Sequence, residues 1–220
     1  MLLALDTSSP QVSVALHDGV DVVDERVSEQ PMRHGEQVMP LVDAALRACD
    51  AHRHDLTAVA VGVGPGPFTG LRVGLVTART LAHVLDLPVY GVCSLDVLAL
   101  EAVAQRLPGL DAGFAAASDA RRREVHLATY DAEGRRVDGP VVGRADALAA
   151  TLPPGLPVVG EGALLYPDAL RAAGEPMPLR PSAGWLARAV AGELVELGDP
   201  EPLYLRRPDA ETPGARKPVS

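Results

Sequence analysis

Two stretches of this chain, half its length apart, follow one pattern. Residues 4–16 read ALDTSSPQVSVAL and residues 117–129 read ASDARRREVHLAT. Each is an apolar run closed by an aspartate, then a turn, then a strand in which side chains alternate. Asp6 precedes Val12 by six residues, and Asp119 precedes Val125 by six. A supersecondary unit that recurs once points to a duplicated fold with two related halves. The competing explanation is chance agreement between two hairpins.

The elements around each copy support duplication. Strands over 2–6, 12–16 and 20–27 form a meander that turns at Asp18-Gly19. A helix follows over 35–49, with Val38, Leu41, Val42, Ala45 and Cys49 on one face and Pro40 confined to its first turns or kinking it. The run 58–63 is a central strand covered on both faces. A helix over 69–86, a strand over 88–93 and a helix over 94–107 complete the first half. After Pro108-Gly109 come strands over 113–118, 125–129 and 137–142, a helix over 145–151 and a strand over 157–160. Helices over 163–173 and 182–197 end the second half. Antiparallel strands that give way to alternating helices and strands, twice, define an α/β protein of two lobes, each a mixed sheet flanked by helices. The lobes divide at 1–108 and 109–207, with 208–220 a disordered tail rich in Pro, Gly and charge. Ligands of such sheets sit at the carboxyl ends of strands, which is where Asp6 and Asp119 fall.

Residues 62–87, GVGPGPFTGLRVGLVTARTLAHVLDL, carry two competing messages. The Gly/Pro loop suggests phosphate binding at a helix N-terminus. Yet its third glycine is one residue late for a dinucleotide fingerprint, and no Gly-Lys-Ser/Thr occurs. A rigid turn fixed by Pro65 and Pro67 is the favoured alternative. In the helix, Arg72, Arg79, His83 and Asp86 form one narrow polar stripe and everything else is small or apolar. That apolar arc is about twice the ~100° a surface helix needs. Gly74, Ala78 and Ala82 make a ridge that another helix could approach closely. The second face is covered either by the protein's own lobes or by a partner.

Asp6, Thr7 and Ser8 place a carboxylate and two hydroxyls on a strand-end turn, suited to phosphate or a metal-bound water, or to satisfying their own backbone. His34 heads the first helix, but its i+3 and i+4 positions are Gln37 and Val38, so no metal pair forms and a surface or capping role is expected. No Gly-x-Ser-x-Gly elbow exists to seat a nucleophile, and Arg121–Arg123 reads as a solvated cluster. Cys49 and Cys93 are expected to be reduced core thiols. A net charge of −9 opposes a surface that tracks nucleic-acid phosphates, so any RNA would be served through a partner. With no signal-like leader and no charge-free run of ~20 apolar residues, a cytoplasmic location is expected.

The segments LALDTS, VSVAL, HGEQVMP, GVGPGPFTGLRVG, SLDVLA, SDARRREVHLATYD, GEGALLY and PLYLR stand in the order and spacing of the TsaB (YeaZ) family. The resemblance covers about residues 1–207 and is most specific at GPGPFTGLR and DARRREV. It implies the duplicated actin-like ATPase (ASKHA) fold. It also implies a non-catalytic subunit, with no resident metal or cofactor, that pairs with TsaD, the enzyme that transfers threonylcarbamoyl to adenosine in tRNA. TsaE, an ATPase, joins that assembly, and a nucleotide at the junction is left open. The implied partner contacts lie on the first two long helices, at His34, Val38, Leu41, Val42, Leu71, Val73, Gly74, Leu75, Ala78 and Ala82, with TsaD or a second copy of the chain opposite. Asp6, Thr7 and Ser8 remain the place for a nucleotide. An autonomous ATP-binding or metallopeptidase-like ASKHA enzyme is the alternative. Pro67 and His126 depart from the family's usual Ser and Tyr, and Pro67 weakens the phosphate reading further.

Overall fold

The computed structural model describes residues 1–28 and 33–206, so the expected tail over 208–220 lies outside the described residues. Two sheets are built in the same way. The first has the order β3-β2-β1-β4-β5, formed by β1 (Leu2–Asp6), β2 (Ser13–His17), β3 (Val22–Val27), β4 (Ala58–Gly64) and β5 (Val89–Cys93). The second runs β8-β7-β6-β9, formed by β6 (Phe114–Asp119), β7 (Glu124–Tyr130), β8 (Arg136–Arg144) and β9 (Val158–Val159). In each, the first strand pairs antiparallel with the next and parallel with a strand that arrives after helical chain. The two apolar-Asp units are thus equivalent central strands, β1 and β6, and the chain has a duplicated α/β architecture of two mixed sheets.

Burial explains why β1 reads as a continuous apolar run. Leu3 and Leu5 face one core with Val14, Leu16, Val59 and Val61, roofed by α1 (His34–Ala48) and α2 (Phe68–Leu85). Leu2 and Ala4 face the other core with Ala15, Ala60 and Val92, roofed by α6 (Ala183–Ala191). Both faces are covered, so alternation disappears. Helix α3 (Ser94–Ala104) contacts strands of both sheets and α6, which is why its buried residues include Leu95, Val97, Leu98, Ala99 and Ala102.

Three elements differ from expectation. The helix expected over 163–173 is only α5 (Glu161–Leu165), because Pro167 disfavours helical backbone at Tyr166. The last helix stops at Gly192 rather than Leu197. It also packs on the first sheet, its N-terminus held there by Ser13 Oγ and by the Glu25 carboxylate, which accepts from Ser182 Oγ and Gly184 N–H. Helix α6, from the later half of the chain, thus completes the first lobe in space. Pro40 sits well inside α1, where the helix tolerates it. The short α4 (Ala145–Ala149) closes the second lobe.

Candidate functional site

At the carboxyl ends of β1, β4 and β6 the lobes face each other across a cleft. Asp6 ends β1 fully buried, and its carboxylate is used up locally. Oδ1 accepts from Ser8 N–H at 2.8 Å and Ser8 Oγ at 2.7 Å, while Oδ2 accepts from Ser94 Oγ at 2.8 Å. Burial raises the Asp6 carboxyl above its usual range, and the Ser8 and Ser94 hydrogen bonds pull it back. Thr7 Oγ1 donates to Gly70 O at 2.8 Å and accepts from Gly74 N–H at 3.2 Å, tying the turn to α2.

The Gly/Pro loop lies directly on this turn. A Cβ on Gly62 would stand 1.9 Å from Asp6 Oδ2, and one on Gly66 would stand 2.3 Å from Ser8 O. Gly62, in β4, leaves room for the Asp6 and Ser94 side chains, and Gly66, in the loop, for the Ser8 backbone, so no open phosphate cradle remains. Between the lobes remains a cavity of about 10 Å³, lined by residues including Ser8, Ser94, Ser118, Asp119, Arg121 and Glu161. That volume is on the scale of one water molecule. Across it Arg180 ties Glu161 at 2.8 Å to Gln11 at 3.0 Å. On the far wall Ser118 Oγ lies 3.3 Å from His126 Nδ1, and burial pushes that imidazole down to about 4, so it is a weak base at neutral pH. Among the described residues no group of three or more His, Cys, Asp and Glu side chains could hold a metal ion.

The expected partner residues fall largely elsewhere than on the surface. His34 is buried, with Nε2 2.8 Å from Ser9 O, and is neither a surface nor a capping residue. Val38, Val42, Leu71, Leu75, Ala78 and Ala82 are buried in the core against the first sheet, and Gly74 packs on Thr7. The Gly74–Ala78–Ala82 ridge faces inward, with Gly74 against the Thr7 side chain and Ala78 and Ala82 in the core. Leu41 is half-buried on the flank facing β3, lining a groove with Glu25, Arg26 and Val27. Of the ten expected contacts only Val73 reaches the outer side of α2. That outer side holds Thr69, Val73, Val76, Thr77, Thr80 and Val84, a sector of about 100° on the helical wheel. Val76 is 63% exposed and Val84 72%. It was missed because periodicity measures the width of an apolar arc and not which edge the sheet takes. Beside it Arg72 and Arg79 of the polar stripe meet the segment 198–206, whose contacts nothing in the residue pattern announces.

A two-lobed α/β protein whose cleft is filled by its own turn and loop is the class that these features define. The family model of TsaD, tRNA N6-adenosine threonylcarbamoyltransferase, matches residues 22–170. An uncharacterised protein of Mycobacterium tuberculosis is 42% identical over 215 residues, covering 96% of this chain and 93% of that protein. The tRNA threonylcarbamoyladenosine biosynthesis protein TsaB of Bacillus subtilis is 36% identical over 129 residues, 59% of this chain and 54% of that one. The crystal structure of YeaZ from Pseudomonas aeruginosa superposes with a TM-score of 0.74 at 30% identity, covering 93% of this chain and 99% of that one. The chain belongs to the TsaB (YeaZ) family of tRNA threonylcarbamoyladenosine biosynthesis proteins.

Proposed function

We propose that this protein is a non-catalytic subunit that binds TsaD through the outer face of α2 and supports threonylcarbamoyl transfer to adenosine in tRNA. The observation that carries the proposal is the exposed Val/Thr sector of α2, with Val76 and Val84 mostly in solvent. A helix surface of this kind, built of β-branched Val and Thr, suits docking of a partner helix. The same face would serve a second copy of the chain when TsaD is absent. TsaE joins through the assembly, and RNA is met through the partners, in keeping with the net charge of −9. A nucleotide at the junction would be held by groups the partner supplies, since Asp6, Thr7 and Ser8 already spend their hydrogen bonds on each other, Ser94 and α2. The setting proposed is the cytoplasm; no helix among the described residues is long and apolar enough to cross a membrane. An autonomous enzyme working at Asp6, Thr7 and Ser8 would need a far larger cavity there than the one of about 10 Å³ that remains between the lobes, or metal ligands that the described residues do not group together.

The test is co-purification with TsaD from the same organism. Val76→Arg changes an exposed side chain, so the protein folds with stability within about 0.5 kcal/mol of wild type yet loses TsaD. Undiminished co-purification of the folded variant contradicts the proposal. Ala78→Arg is not a usable probe, because it would force a charge into the core.

A further inference from the structure

We propose that residues 198–206 are an interlobe latch, a strap that holds the cleft shut and must lift before anything larger than water enters it. The inference is independent of which partner α2 binds. One end of the strap is pinned to the edge of β5, where Gly198 and Gly91 exchange hydrogen bonds of 2.9 and 2.8 Å. Its middle lies on the last residues of β4: Leu203 N–H donates to Val63 O at 2.9 Å. The Leu203 side chain packs against both the core beneath α1 and α2 and the core of the second lobe. Tyr204 then stacks on Phe68, ring centroids 5.2 Å apart, and its hydroxyl accepts from Arg72 Nε at 3.1 Å. Glu201 pairs with Arg79 at 3.1 Å. The far end crosses to the β6–β7 turn, where Arg206 donates to Ala120 O at 3.3 Å and pairs with Glu124.

Both walls of the cleft are therefore tied by one segment. Val63 leads into Pro65 and Pro67 on one wall, and Ala120 stands between Asp119 and Arg121 on the other. Apart from Leu203, the side-chain ties are a half-exposed stack, an exposed ion pair at Arg79 and a part-buried one at Glu124, contacts that open locally before the core does. Arg180 and α3 also join the lobes, so release of the strap lets them hinge apart and not separate.

The experiment measures interlobe distance by double electron–electron resonance in the full chain. Spin labels are attached to Val20→Cys and Val137→Cys, 90% and 69% exposed at native Val20 and Val137, with Cys49→Ser. Cys93 stays unlabelled because burial pushes its thiol up to about 12. The latched protein gives one distance population. Leu203→Ala with Tyr204→Ala gives an added, longer population, and exchange of the Gly91 amide accelerates by at least about tenfold. Arg206→Ala, which leaves both cores intact, shifts the distances in the same direction. If both variants keep the single population, or if Gly91 exchange stays at the wild-type rate in the double variant, the latch is refuted.

Discussion

Gly62→Ala is a single methyl group that separates a packing loop from a phosphate loop. In the structure the new Cβ would lie 1.9 Å from Asp6 Oδ2 and 2.8 Å from both Asp6 Cγ and Ser94 Oγ. A carboxylate oxygen would have to retreat by about 1.5 Å to reach ordinary contact. It cannot do so and keep three hydrogen bonds of 2.7 to 2.8 Å from Ser8 and Ser94. Bonds to a charged acceptor contribute about 1.5–3 kcal/mol each, and a buried group left unpaired costs more than its lost bond. Losing the Ser94 bond and weakening one other gives a loss of about 3–5 kcal/mol, a large share of the ~5–15 kcal/mol that a domain has. Urea unfolding followed by circular dichroism reads this as a lowered midpoint with an unchanged slope. Gly35→Ala, where an added Cβ meets nothing within 4 Å, is the control and is neutral or stabilising by up to about 1 kcal/mol. If Gly62→Ala unfolds within about 1 kcal/mol of wild type, the close packing of β4 on the Asp6 and Ser94 side chains is wrong and the cleft has room that the structure denies it.

Two further outcomes follow from buried titratable groups. Glu101 on α3 has Oε2 buried with no hydrogen-bond partner among the described residues, and desolvation, reinforced by Glu25, pushes its carboxyl up to about 7. A carboxyl raised in the folded state favours folding when protonated, so stability falls as pH rises from about 4.5 to about 7 and is flat above. Glu101→Gln removes that slope and is more stable than wild type at about pH 8 by roughly 1–2 kcal/mol, after discounting for the exposed part of the side chain. Denaturation midpoints at several pH values check it. Thiol titration with a disulfide reagent at about pH 8 modifies half-exposed Cys49 in the native protein and Cys93 only after unfolding, since the thiolate is the reacting form.

How much of this was legible in the residues depends on what each pattern measures. The duplication was readable because Asp6 and Asp119 close equivalent central strands, and apolar runs with spaced turns report strand pairing. The packing of the loop agrees with its glycines, Gly66 lying against the Ser8 backbone. Most of the residues expected to meet a partner lie in the core, about half a turn of helix from the exposed side of α2. Leu71, Leu75 and Ala78 differ from Val73 and Val76 only in which side the sheet occupies, and that is a tertiary fact. His34 reads as a polar surface residue but is buried because Ser9 O offers it a partner in space, twenty-five residues away. The contacts of residues 198–206 are not legible in PLYLR itself, because they reach back to Val63, Phe68 and Ala120 across more than eighty residues.

The central claim is that the protein acts on tRNA only through a partner held on α2. It is tested most directly by measuring threonylcarbamoyladenosine formed on tRNA in a reaction reconstituted with TsaD, TsaE, the threonylcarbamoyl donor and this chain. The account expects no product from this chain without TsaD, product with wild type and TsaD together, and less than about one-tenth of that rate with Val76→Arg, equivalent to losing more than ~1.4 kcal/mol of binding at limiting concentration. Product from this chain alone, or full activity with Val76→Arg, would contradict it.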